Sequence, residues 1–200
     1  MKKLDFLKNE KNQTNKLENN KILFDSKITN INEIDFIING LKESPIFNNK
    51  NIQFKLLYRG TRDGDDTIKL HEKCDGIKNV IIFMRSEQGN RYGGYSNIGW
   101  ETRPEGKWEY PIDDNAFLFS VESKKIFNAK RGKNQICWGN SDEYGLCFCG
   151  SLVFHNKFLS KVNFNIYKMI SLYFENCSID EFNSGKEICK LSELEVFQII

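Results

Sequence analysis

The run Leu56-Leu57-Tyr58-Arg59-Gly60-Thr61-Arg62-Asp63-Gly64, continuing to His71-Glu72-Lys73-Cys74-Asp75-Gly76, constrains the fold more than any other part of the chain. Ile52, Phe54, Leu56 and Tyr58 alternate with Gln53, Lys55 and Leu57, the period of a strand. Asp63-Gly64-Asp65-Asp66 is a turn, and Asp65, Asp66 or Thr67 is placed to accept the free amide hydrogens of a following helix. Thr67, Leu70, His71 and Cys74 fall on one face of that short helix, and Gly76 lies where a left-handed residue would end it. The block is therefore a strand-to-helix corner with Arg59, Arg62 and Asp63 fixed on it. Arginine–carboxylate pairs are bidentate and lock such corners, so an internal ion-pair brace is the favoured reading. A surface facing a partner or a ligand is the competing one.

Residues 1–21 are polar and rich in Lys, Asn and Glu, and Leu4, Leu7 and Leu17 are too sparse for a heptad. They are expected to form a flexible arm ahead of a domain over residues 22–200. Ile31, Ile34, Ile37, Ile38 and Leu41 line one helical face, with Thr29, Asn30 or Asn32 to cap it and Pro45 beyond it. Strands are expected at 80–84, 91–95, 116–121, 135–138, 146–149, 152–154, part of 164–174, and 194–199. Gly93 and Gly94 remove side chains where another backbone or a bulky ring must come close. Many short strands with Gly and Asn turns, after two early helices, give an α+β, mainly β chain: an antiparallel sandwich with short flanking helices. A doubly wound parallel sheet would need long helices between its strands, and none follows Asp75.

Two hundred residues, 40% of them hydrophobic and including 16 Phe, suffice for one sizeable core. The net charge of +2 and the dispersed lysines do not suit nucleic acid. No apolar run approaches the roughly 20 residues of a membrane span. Met1-Lys2-Lys3-Leu4-Asp5-Phe6 lacks the apolar segment of a secretory signal, so the six Cys are expected as thiols in a reducing, cytoplasmic setting.

Candidate chemistry is thin. His71 and His155 are the only histidines, and His71 sits on the presumed buried face beside Cys74. A core or helix-end histidine bonded to backbone outweighs a catalytic or redox pair. Cys137, Cys147, Cys149 and His155 would be a zinc set, but the close pair is Cys-x-Cys on a strand, not the spacing of a zinc knuckle. Interior thiols are the simpler reading. Counting a calcium loop from Asp63 puts Ile68 and Cys74 where Gly and Glu are needed. No catalytic, cofactor or metal residue is therefore expected. Trp100 and Trp108 lie in a polar loop, either as aromatic anchors of an interface or folded back over the sheet edge.

The corner block, His71-x-x-Cys74-Asp75-Gly76, Tyr92-Gly93-Gly94-Tyr95 with Trp100, Asn115-Ala116-Phe117-Leu118-Phe119-Ser120 and Glu193-Leu194-Glu195-Val196-Phe197 together resemble the TLDc domain, the module of eukaryotic oxidation-resistance proteins. Asp25-Ser26-Lys27-Ile28 resembles its usual start, so the resemblance runs from about Asp25 to Ile200. It implies two antiparallel sheets packed as a sandwich and a role in protection against oxidative stress. It also implies binding to the vacuolar proton-pumping ATPase, placing the chain at the surface of acidic organelles, with no established catalytic mechanism. A thiol enzyme acting on peroxide through Cys74 or Cys147/Cys149 is the alternative. The chain departs from the family after Tyr144-Gly145, where Leu146-Cys147-Phe148-Cys149 replaces the usual glycines and acid.

Overall fold

A computed structural model describes residues 22–48, 51–133, 135–149, 151–162 and 164–200. The expected arm, residues 1–21, lies outside the described residues. Eleven named strands form two antiparallel sheets among those residues. The larger has the order β1 (Phe54–Arg59), β11 (Leu191–Ile199), β2 (Val80–Ser86), β3 (Arg91–Ser96), β4 (Phe117–Ser120) and β5 (Lys125–Asn128). The smaller has the order β10 (Ile188–Cys189), β9 (Phe164–Ile166), β8 (Leu152–Phe154), β7 (Cys147–Phe148) and β6 (Ile136–Cys137).

The period of 2 sorts side chains between two cores. Val80, Ile82 and Met84 of β2 join Tyr92, Leu118, Leu194, Val196, Phe148, Phe154 and Phe164 between the sheets. Ile81 and Phe83 point the other way, to a second core with Phe119, Phe197, Ile199 and the helix residues Ile34, Ile37, Ile38 and Leu41. Both faces of β2 are thus covered, which is why residues 80–84 read as an unbroken apolar run. A 3-10 turn (Ile31–Ile34) leads into α1 (Asp35–Glu43). Asn30 caps the turn in a full capping box with Glu33, and α1 lays its apolar face on the outside of the large sheet. Phe24, from the segment ahead of it, packs 4.9–5.5 Å from Phe54, Phe83 and Phe197.

β3 lies in the middle of the large sheet, where a Cβ on Gly93 would fall 1.9 Å from the Ile82 carbonyl oxygen and 2.5 Å from the Phe119 ring. The corner then follows: a one-turn helix α2 (Gly60–Asp63) and α3 (Thr67–Cys74). Asp66 caps α3 by accepting the Ile68 amide, and Thr67, Leu70, His71 and Cys74 form its buried face, as the spacing requires. Several elements were not named from the sequence, β10 and the one-turn helix α2 among them. β5 has only Ile126 and Phe127 to signal it. The strand expected in part of 164–174 is β9, and Ile170–Tyr173 behind it is a helical turn, α4. A last short helix, α5 (Ile179–Asn183), is capped by Ser178, which accepts the Glu181 amide.

Candidate functional site

Arg59 ends β1 with a guanidinium that is almost wholly buried, so its charge needs partners. The sequence places Asp63 nearest, but the structure brings acids from both ends of the domain. Arg59 Nε donates to Glu195 Oε1 at 2.6 Å, and Nη2 donates to the Asp25 carbonyl oxygen at 2.6 Å. The Asp25 carboxylate stands 3.4 Å away. Glu195, fully buried on β11, also accepts from the Ser26 hydroxyl and from the Lys27 amide at 3.0 Å. Two residues earlier on the same strand, Glu193 is equally buried and accepts the amide and hydroxyl of Thr61. The corner block, the chain segment at Asp25–Lys27 and the final strand are thus joined by charge-assisted bonds that leave no oxygen of Glu195 unbonded.

Asp63 serves a different pair. Its carboxylate accepts the Arg59 amide at 2.9 Å, Arg62 Nη2 at 2.7 Å and Lys73 Nζ at 3.2 Å. Burial acts to raise its carboxyl, but the bonds from Arg62, Arg59 and Lys73 outweigh it and hold it at about 2. A carboxyl depressed below its unfolded value near 3.9 stabilises the fold above that pH and loses the contribution as pH falls toward 2. Asp63→Ala is accordingly expected to cost about 1–3 kcal/mol at pH 7. Its deficit against wild type in urea unfolding should shrink as the pH falls toward 2. An equal deficit at both ends of that range would remove the ionic part of the brace.

The two loop tryptophans part company. Trp100 is buried; its indole donates to the Cys147 carbonyl at 2.9 Å and its ring meets Phe148 edge-on at 5.3 Å. Trp108 keeps 38% of its surface exposed. It stacks on Tyr110 at 6.5 Å and 13°, and meets Tyr144 edge-on at 4.8 Å. Its ring lies over Gly139, where a Cβ would come within 2.3 Å. The loop is pinned beside β6 by paired bonds between Glu109 and Trp138, and by Arg103, which lies 4.6 Å over the Trp138 ring and pairs with Glu101 and Glu109. Tyr110 is exposed as well, so Trp108 and Tyr110, backed by Tyr144, form an aromatic ridge beside β6 of the smaller sheet.

The thiols offer no activated group. Cys74, Cys147, Cys177 and Cys189 are buried, and Cys137 and Cys149 half-buried, all unpaired. Burial raises each: Cys137 and Cys177 to about 12, and Cys74, Cys147, Cys149 and Cys189 above the ordinary thiol value. A peroxide-reactive thiol needs the opposite shift. His71 is bonded on both ring nitrogens, to Asp75 and to the Tyr144 carbonyl. No group of three or more His, Cys, Asp or Glu among the described residues is arranged to hold a metal ion. No described helix is long and apolar enough to cross a membrane.

Sequence reasoning placed Arg59, Arg62 and Asp63 at one corner but gave Arg59 the wrong acid. Acids at alternate positions in an otherwise apolar terminal strand were the available signal for Glu193 and Glu195. Tyr110 and Tyr144 carried none, because their contact with Trp108 depends on how the loop returns to β6.

A comparison with curated proteins finds no match. A comparison with protein-family profiles matches residues 22–200 to one described as TLD, the TLDc domain. With the sandwich, the corner and the closing strand all in place, the chain belongs to the TLDc domain family.

Proposed function

We propose that this TLDc domain is a non-catalytic protein-binding module acting in protection against oxidative stress. Its partner is the vacuolar proton-pumping ATPase, met at the cytoplasmic surface of acidic organelles. The observation that carries this reading is the unequal treatment of the two outer sheet faces. The outside of the large sheet is sealed by α1 and Phe24. Beside the smaller sheet stand the exposed rings of Trp108 and Tyr110, fixed by each other, by half-buried Tyr144 and by the Gly139 backbone. Rigid exposed aromatics of this kind serve as interface anchors. Arg59, Arg62 and Asp63, by contrast, are engaged with partners inside the domain, which favours a bracing role for them. The raised thiols weigh against peroxide chemistry at Cys74 or at Cys147 and Cys149.

Capture from a cell lysate on the folded, immobilised domain, with quantitative identification of bound proteins, tests the assignment. Enrichment of pump subunits is expected. Their complete absence from a preparation with a cooperative melt would end the ATPase reading. Peroxide consumption by the same preparation that falls in Cys74→Ser or Cys149→Ser would end the non-catalytic one.

A further inference from the structure

Ile136 of β6 and Phe148 of β7 are directly opposed and both point into the core between the sheets. Their neighbours therefore point to the outer face, where Cys137 stands directly opposite Cys147. The Cys149 amide donates to the Gln135 carbonyl at 2.8 Å, so those two residues form a hydrogen-bonded pair of the ladder. Cys137 and Cys147, two steps along, are the next pair of that kind. Residues so opposed have α-carbons about 5.5 Å apart, inside the span that a disulfide bridges. Cys149 is out of step with Cys137 by one diagonal, about 7–8 Å, which is too long. Both opposed sulfurs are free thiols.

We propose that Cys137 and Cys147 are a thiol-modification site, which a low-molecular-weight disulfide oxidises to a reversible cross-strand bond that staples β6 to β7 and fixes the seat of the aromatic ridge. β6 is two residues long and lies at the edge of the smaller sheet, so little else holds it. The residue after Cys137, Trp138, exchanges both backbone bonds with Glu109, at 2.9 and 3.0 Å. Glu109 lies between the ridge residues Trp108 and Tyr110. Gly139, over which the Trp108 ring lies, is two residues past Cys137. A bond at Cys137 thus ties down the strand on which the ridge rests. The staple itself stands on the register of the two strands, whatever partner the ridge meets.

Burial sets the order of events. Cys137 is half-buried and is the sulfur a reagent reaches first, whereas Cys147 is 2% exposed and its thiol donates to the Gly145 carbonyl at 3.1 Å. Cys137 gives up its proton and attacks one sulfur of oxidised glutathione, releasing the other half as a thiol. Cys147 then leaves Gly145, gives up its proton and attacks the Cys137 sulfur, expelling the second half as a thiol. Two protein thiols have become one disulfide, and two glutathione thiols carry away the two electrons and two protons. Burial raises both protein thiols, so the exchange is slow. Such thiols are also poor leaving groups, so the bond once made is slow to reopen. This is a staple and not a turnover site, in keeping with the absence of an activated thiol. Cys149 is held apart by its hydrogen bond with the Tyr173 side chain.

The experiment equilibrates the full chain, folded and without denaturant, in glutathione buffers stepped from fully reduced to fully oxidised. Peptide mapping by mass spectrometry under non-reducing conditions then locates any bond. A link between Cys137 and Cys147 is expected in wild type and in Cys149→Ser. In Cys147→Ser, Cys137 should instead retain one glutathione, the trapped first step. The bond should raise the melting temperature by about 5 °C, the smaller kind of gain that a short loop gives, and reduction should reverse it. Amide exchange at Trp138 should slow by about tenfold or more in the oxidised protein. Absence of the Cys137–Cys147 link at every ratio overturns the proposal, as does a bond from Cys137 to Cys149 in its place. A link that lowers the melting temperature, or leaves Trp138 exchange unchanged, overturns the staple. Binding of the pump plays no part in these readouts, so the staple and the partner assignment fail separately.

Discussion

Glu195→Ala is expected to lower stability by about 3–5 kcal/mol, the cost of stripping one partner from a buried ion pair. The Arg59 side chain is 8% exposed and that of Glu195 not at all, so water cannot replace what is removed. The Asp25 carboxylate stands 3.4 Å from the guanidinium and is 74% exposed, too solvated to substitute. The Ser26 hydroxyl and Lys27 amide lose their acceptor in the same step. The segment leading to α1 would then lose its hydrogen bonds to β11, leaving the bonds from Arg59 and Arg85 to its carbonyls and the packing of Phe24 to hold it. Replacing both partners, as in Arg59→Met with Glu195→Leu, should cost much less than the two single changes added together, because no charge is left buried and unpaired. Urea unfolding of the four proteins gives the coupling directly. A Glu195→Ala deficit below about 1 kcal/mol, the ordinary value for an exposed pair, would show that the corner is not a buried brace.

Gly93→Ala is expected to cost about 3 kcal/mol or more, at the upper end of overpacking changes. The added carbon would meet the Ile82 carbonyl oxygen at 1.9 Å, and that oxygen belongs to the neighbouring strand. Flexible side chains give way to a new methyl group; a ladder carbonyl in mid-sheet does not. The Phe119 ring at 2.5 Å closes the remaining direction. β2 and β3 would have to separate at the centre of the six-stranded sheet, between two cores. Gly94→Ala is the milder neighbour, since its carbon would meet only the side chains of Phe148 and Leu118, at 2.5–2.8 Å. Thermal melts of the two variants should rank in that order. A Gly93→Ala protein that melts with wild type would show that the strands do not approach this closely.

These two positions also mark how far the sequence could be read. Gly93 and Gly94 announced a close approach, because a strand gives up side chains only where something else fills the space. The α3 face was legible because Thr67, Leu70, His71 and Cys74 recur at helical spacing and Asp66 stands ready as a cap. β5 was not legible: a four-residue edge strand, Lys125–Asn128, has room for one alternation and no more. α4 was not legible because Ile170–Tyr173 is a single turn, too short to show a helical period. α5 was missed although Ser178 and Glu181 have the spacing of a helix start. At the site, the corner's charges were visible but their pairing was not. Nothing local tells Arg59 which of 27 acids it will meet, and its partner lies 136 residues away. The ridge was half visible: Trp108 was singled out, while its companion Trp100 turned inward to bond Cys147.

If the corner braces the domain and the ridge binds the partner, the two are separable in one paired measurement. Affinity for purified pump subunits and the melting temperature are determined on the same preparations of wild type, Trp108→Ala and Asp63→Ala. Trp108→Ala is expected to melt close to wild type and to lose binding by about tenfold or more, the scale of an aromatic anchor. Asp63→Ala is expected to melt lower yet bind normally while folded. Unchanged affinity in Trp108→Ala, together with lost affinity in an Asp63→Ala protein of normal stability, would contradict that separation and move the contact to the corner.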